Sequence, residues 1–135
     1  MNKEFVPYEL AVKLKELGFD EPCFAFYQIE YAEVIPTMVD DNEQYKLTGF
    51  RTCKNSEIPE HYTSAPTFSQ AFRWFREKYQ LHSTITSISQ ESWQWHIQKP
   101  GQQLGKLYDE DFYTYEEAEL ACLTKLIEIV ENKSE

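Results

Sequence analysis

Two stretches with the same opening, PTFSQAFRWF at residues 66–75 and YTYEEAELAC at residues 113–122, decide where two helices begin. Each opening reads Thr, aromatic, any residue, then Gln or Glu followed by Ala. Thr67 with Gln70, and Thr114 with Glu117, match the capping box, in which the Thr hydroxyl accepts from the N3 amide and the Gln or Glu side chain accepts from the N-cap amide. Both stretches therefore predict a helix that begins sharply after an extended segment.

Apolar residues recur at helical spacing after both openings. On the second helix they form one face, made of Phe68, Ala71, Phe72, Phe75 and Tyr79. On the third helix they cover more than half of the circumference: Ala118, Leu120, Cys122, Leu123, Leu126, Ile127, Ile129 and Val130. A helix this apolar is buried on more than one side, so we expect the third helix at the centre of the domain.

The remaining elements follow outward from these helices. A first helix is predicted over residues 7–17, with Pro7 at its first position and Gly18 as a left-handed stop. Strands are predicted over 23–31, 44–52, 82–88 and 92–98, the last two as a hairpin. The order α-β-β-α-β-β-α predicts a single α+β domain over residues 1–135, with a mostly antiparallel four-stranded sheet packed against helices on one face.

Two segments have no clear period. Residues 99–107 are interpreted as a loop on composition. Residues 53–66 are a mobile loop, a functional loop or a short element that periodicity does not reveal.

Composition bounds the class of protein. The chain of 135 residues has a net charge of −10, a pI of about 4.8 and 16% aromatic residues, which indicates a globular core rich in rings. Acidity argues against direct binding to nucleic acid and against an anionic membrane surface. The sequence MNKEFVPYEL lacks the apolar stretch of a signal peptide, and no run approaches the ~18 apolar residues of a spanning helix, so a cytoplasmic protein is expected.

Residues capable of catalysis or metal binding form no recognisable constellation. Cys122 and Cys23 lie in apolar segments and are interpreted as buried structural thiols, whereas Cys53, with His61 nearby, is the weak candidate for a nucleophile. The histidines, His61, His82 and His96, have no ligand spacing, and the acidic clusters at 40–43 and 109–111 lack the pattern of a calcium loop. No nucleotide-binding motif occurs, so neither an enzyme nor a cofactor is predicted.

The second helix carries a candidate binding surface. Trp74 falls off the apolar face, and Arg73, Glu77 and Lys78 share or border its side of the helix. Trp and Arg are enriched in binding hot spots, which predicts a partner-binding surface at these four residues. The structural alternative is that Trp74 covers a sheet edge or packs against residues 53–66.

Three blocks resemble a family of small uncharacterised proteins from phages, prophages and mobile elements of gut bacteria. The blocks are FVPYELAVKLKELGFDEPCFAFY, PTFSQAFRWFREKYQLH and DFYTYEEAELACLTKLIEIV. The resemblance implies a phage or prophage origin and the cytoplasm of a host cell as the setting. It implies no catalytic residue.

Three hypotheses follow for the function. The first is a non-enzymatic protein-interaction module that binds a host or phage protein, with homo-oligomerisation left open. The second is an acidic mimic of nucleic acid that inhibits a DNA-binding protein, on the strength of the net charge and the clusters at 40–43 and 109–117. The third is a small enzyme that uses Cys53 or a histidine.

Overall fold

The computed structural model describes residues 4–28, 46–48, 54–100, 102–106 and 111–133. Over these residues the chain is α+β, and it divides into two compact units, Met1–Thr67 and Phe68–Glu135. A single domain over residues 1–135 stays a prediction, and each unit is described by itself. No helix in the described ranges is long and apolar enough to cross a membrane.

The N-terminal unit combines one helix with a three-stranded antiparallel sheet. Its elements are α1 (Tyr8–Glu16), β1 (Ala25–Gln28), β2 (Lys46–Thr48), a short 3-10 helix (Asn55–Glu57) and β3 (Tyr62–Ala65). The strand order is β2-β1-β3, which places β1 in the centre, and α1 packs against β3.

Helix α1 ends as the sequence predicts. Gly18 has a φ of 101°, and the amide of Phe19 donates to the carbonyl of Leu14 at 2.9 Å, while the Gly18 amide donates to Lys15 at 3.0 Å. These two bonds form the glycine-terminated C-cap that folds the next apolar residue onto the last turn. Phe19 and Leu14 are both buried, so the turn becomes part of the core of this unit.

The C-terminal unit combines two helices with a second three-stranded antiparallel sheet. Its elements are α2 (Phe68–Tyr79), β4 (His82–Ser89), β5 (Ser92–Lys99), β6 (Gln102–Lys106) and α3 (Tyr115–Lys133). The order is β4-β5-β6, and the predicted hairpin of β4 and β5 is confirmed, with Ile85 opposite Trp95.

Helix α3 packs against β4, β5 and α2, in keeping with the central position that its apolar residues predict. Its capping box is confirmed: the Glu117 amide donates to Thr114 Oγ1 at 3.1 Å, and the Thr114 amide donates to Glu117 Oε1 at 3.3 Å. Helix α2 begins at Phe68, directly after the predicted cap Thr67. One apolar residue of α3 departs from the prediction, because Leu120 is 40% exposed.

The prediction of a single four-stranded sheet is wrong, because the described strands form two separate three-stranded sheets. Two strands lie where the sequence shows no clear period. Strand β3 lies within residues 53–66, for which a short unrecognised element was one of three alternatives, and β6 lies within residues 99–107, where the prediction of a loop is wrong. Strand β3 is only four residues long, YTSA, and its Thr63 and Ser64 are buried, so it has no polar–apolar alternation to read. Strand β6, QQLGK, is polar and contains a glycine.

Candidate functional site

The surface predicted on α2 differs from expectation at its central residue. Arg73, Glu77 and Lys78 are exposed, but Trp74 is buried with 7% of its surface exposed, so the expectation of an exposed Trp74 is wrong. The ring of Tyr79 lies edge-on to Trp74 at 5.4 Å, and Lys78 Nζ lies 5.1 Å from the Trp74 ring centroid. The lysine therefore covers the indole by a cation–π contact.

Both described cysteines are buried. Cys122 is buried, and burial raises the pKa of its thiol to about 12, against which a hydrogen bond with Ser83 acts in the opposite direction. A thiol with this pKa is protonated near neutral pH and is a poor nucleophile. Cys23 is also buried, with its Sγ 3.4 Å from the Glu21 carbonyl oxygen. The candidate nucleophile Cys53 lies outside the described residues.

The candidate metal ligands do not come together in the described part of the chain, where no group of three His, Cys, Asp or Glu side chains could hold an ion. His61 and His82 are exposed, and His96 is half-buried on the solvent side of β5, as expected. The acidic cluster at 40–43 lies outside the described residues, as do Asp109 and Glu110. Asp111 is described, and its Oδ1 accepts a hydrogen bond from Gln94 Nε2 at 2.7 Å.

The segment before α3 pairs with the start of β5, and aromatic residues from both lie there at the surface. No sequence pattern predicts this arrangement. We call it the aromatic surface and define it as Trp93, Phe112, Tyr113 and Tyr115. The amide of Trp93 donates to the carbonyl of Phe112 at 2.8 Å, and the amide of Phe112 donates back at 2.9 Å. The rings of Trp93 and Tyr115 meet edge to face, with centroids 5.4 Å apart.

Exposure is high on this surface. Tyr113 is 75% exposed and Tyr115 is 40% exposed, while Trp93 and Phe112 are half-buried beside them. Scattered single apolar residues are normal on protein surfaces, but here Trp93 is joined to Tyr115 by ring contact and to Phe112 by backbone pairing, and Tyr113 follows Phe112 directly in the sequence. The other large exposed apolar side chains among the described residues are Phe24, Ile88 and Leu120.

The backbone of the aromatic surface is fixed by the start of α3. Glu117 Oε1 accepts from the amide of Tyr113 at 3.0 Å as well as from the amide of Thr114, so one carboxylate holds the turn into the helix. The positive end of the helix dipole also stabilises a carboxylate at this position. The exposed tyrosines are therefore displayed on a hydrogen-bonded frame.

The sequence around the aromatic surface is rich in carboxylates. The sequence from Leu107 to Thr124 contains six carboxylates and no Lys, Arg or His. Burial, reinforced by the Glu119 carboxylate, raises the pKa of Tyr115, and burial, reinforced by Glu116, raises the pKa of Glu119. This environment favours cations.

The sequence contained only part of the signal for this surface. The run DEDFYTYEEAE, residues 109–119, shows aromatic residues among carboxylates, but carboxylates before and in the first turn of a helix are also explained by the helix dipole. The pairing of Trp93 with Phe112 joins residues 19 positions apart and has no local pattern. Comparison with protein-family models, curated proteins and solved structures finds no match for this chain.

Proposed function

We propose that the protein is a non-enzymatic interaction module that binds a basic segment of another protein through the aromatic surface. The observation that carries the proposal is the exposure of Tyr113 and Tyr115 on a hydrogen-bonded frame, in a stretch of sequence rich in carboxylates. This surface replaces Trp74 as the apolar anchor.

Preorganisation supports the proposal. The paired amides of Trp93 and Phe112 and the bonds accepted by Glu117 hold the backbone under the tyrosines before a partner arrives. Tyr also has few rotatable bonds for its contact area, so little side-chain entropy is lost when it is covered. Because this backbone is already ordered in the folded protein, binding does not bear the entropic cost of ordering it, and the affinity for the partner is higher.

Charge selects the chemistry of the partner. A tyrosine face attracts a guanidinium or ammonium group, and nearby carboxylates such as Glu116 and Asp111 can pair with the same cation. An Arg or Lys next to apolar residues satisfies both features of the surface. The acidic setting also repels acidic proteins, which narrows the choice of partner.

A selection from a yeast-displayed library of random peptides tests the proposal. We expect the enriched peptides to carry Arg or Lys beside apolar residues, and Tyr113→Ala to weaken their binding by roughly tenfold or more, as truncation of a hot spot does. Because Tyr113 is 75% exposed, this variant leaves the core intact. Arg73→Ala, on the exposed side of α2, is the control and should bind as the native protein does.

The same selection can contradict the proposal. Peptides that bind native protein and Tyr113→Ala equally, or a loss of binding in Arg73→Ala alone, would return the site to the surface predicted on α2. Enriched peptides without basic residues would contradict the proposal that the partner segment is basic.

The resemblance to phage and prophage proteins suggests where the partner is found. We propose a host or phage protein in the cytoplasm of the host cell, and binding to it rather than catalysis as the role.

A second candidate function is inhibition of a DNA-binding protein by mimicry of nucleic acid. It is favoured by the six carboxylates between Leu107 and Thr124. Such recognition depends on charge, so a captured partner would be a DNA-binding protein, would be released by competing duplex DNA, and would be retained by Tyr113→Ala. Loss of that partner in Tyr113→Ala would favour the aromatic surface.

A further inference from the structure

Strand β4 has one edge without a pairing partner. It lies at the end of the order β4-β5-β6, and its eight residues pair only with β5 within the described ranges. No residue of β4 is buried, and the four residues from Thr86 to Ser89 are all exposed. The outer edge of this strand is therefore open to solvent.

Strand β4 lacks the charged residues and proline that usually protect an exposed edge strand. Proteins usually protect edge strands with charged side chains, proline or a bulge, because unpaired amides and carbonyls template pairing with another strand. Between His82 and Glu91 the sequence is STITSISQ, without a charge or a proline. The one irregularity of register, between Ser87 and Ser89, lies at the hairpin end and leaves the preceding residues regular.

We propose that β4 pairs in antiparallel orientation with β4 of a second copy of this chain, so that the two β4-β5-β6 sheets continue into one another. The proposal is independent of the aromatic surface. A dimer of a chain with a net charge of −10 must bring together surfaces with little charge, and β4 is such a surface over eight consecutive residues.

The ends of the strand favour a second copy in this orientation. Antiparallel pairing of two copies brings the end of β4 that carries His82 beside the end that carries Glu91 in the other copy. Parallel pairing would instead place Glu91 beside Glu91. Both side chains are exposed, so neither must leave a partner inside its own unit. Ser and Thr side chains that face each other across the new pair can also form hydrogen bonds.

Sedimentation across a series of protein concentrations tests the proposal on the full chain. We expect the native protein to dimerise reversibly. Thr86→Lys places a charge on the edge strand, where two copies bring like charges together, and should raise the dissociation constant of the dimer on the order of tenfold.

Gln98→Lys is the matched control, because Gln98 is exposed and lies on the same face of the sheet as Thr86, but on the central strand β5. It adds the same charge and should leave the dimer intact. Thermal melts followed by circular dichroism establish that both variants are folded. A native protein that stays monomeric throughout the series overturns the proposal, and so does a dimer that Thr86→Lys and Gln98→Lys affect equally.

Discussion

Asn55 holds the 53–66 segment to the N-terminal core, and its removal should cost much of the stability of that unit. Its Nδ2 donates to the carbonyl of Phe19 at 2.8 Å, and its Oδ1 accepts from the amide of Ser64 at 2.8 Å. Both partner residues are 1% exposed. One amide side chain thus satisfies a buried carbonyl and a buried N–H at once.

The variant Asn55→Ala removes both hydrogen bonds. Removing one partner of a buried hydrogen bond costs about 1–3 kcal/mol, so the loss of two should lower the free energy of unfolding by about 2–6 kcal/mol. With a urea dependence of about 1–3 kcal/mol per M, the middle of both ranges gives a fall of roughly 2 M in the unfolding midpoint.

Urea unfolding measures the global loss, and hydrogen exchange at the Ser64 amide measures the local one. Asn132→Ala provides the matched control, because Asn132 is exposed near the end of α3, and should stay within about 0.5 kcal/mol of the native protein. If Asn55→Ala also stays within that range and the Ser64 amide keeps its protection, the role assigned to Asn55 is refuted.

Three further predictions follow from buried groups. The Tyr27 hydroxyl donates to the carbonyl of buried Val6 at 2.6 Å, so Tyr27→Phe should lower unfolding free energy by about 1–3 kcal/mol in urea, whereas exposed Tyr113→Phe should not. Ser64 Oγ is buried and has no hydrogen-bond partner among the described residues, so Ser64→Ala should raise the thermal midpoint or leave it unchanged, and a clear fall would contradict this. Cys122 should resist alkylation at about pH 8 until the protein is denatured, and rapid modification of native protein would contradict its burial.

The raised pKa of the Cys122 thiol also makes the stability of the fold depend on pH. Folding favours the protonated thiol, so the contribution of this thiol to stability is fully present below its unfolded-state pKa, which is near the ordinary cysteine value of 9.0. It is lost as the pH rises towards about 12. Cys122→Ser should therefore show a weaker decline of stability over this alkaline range than the native protein.

Local sequence rules predicted the helices well. The capping box at Thr114, the glycine stop at Gly18 and the apolar face of α2 all depend on residues within a few positions of one another. The hairpin of β4 and β5 was predictable for the same reason, since its strands are joined by a two-residue turn. The α+β class followed from these elements.

Non-local pairing explains what could not be predicted. Strand β3 is short and polar, and its place beside β1 depends on residues far apart in sequence, such as Tyr27 and Thr63. The division of the strands into two sheets is likewise a matter of pairing, which alternation does not encode. For Trp74, the helical wheel gave the wrong exposure, because it ignores the ring of Tyr79 and the Lys78 side chain that cover the indole.

The three tryptophans allow the central claim, that a basic partner docks on the aromatic surface, to be tested in one titration. Trp93 belongs to that surface and is half-buried, while Trp74 and Trp95 are buried elsewhere in the C-terminal unit. In a two-dimensional ¹H–¹⁵N NMR spectrum, a selected basic peptide should shift the indole N–H signal of Trp93 and leave those of Trp74 and Trp95 in place. A shift of the Trp74 signal with Trp93 unchanged would contradict the account and place the partner on α2.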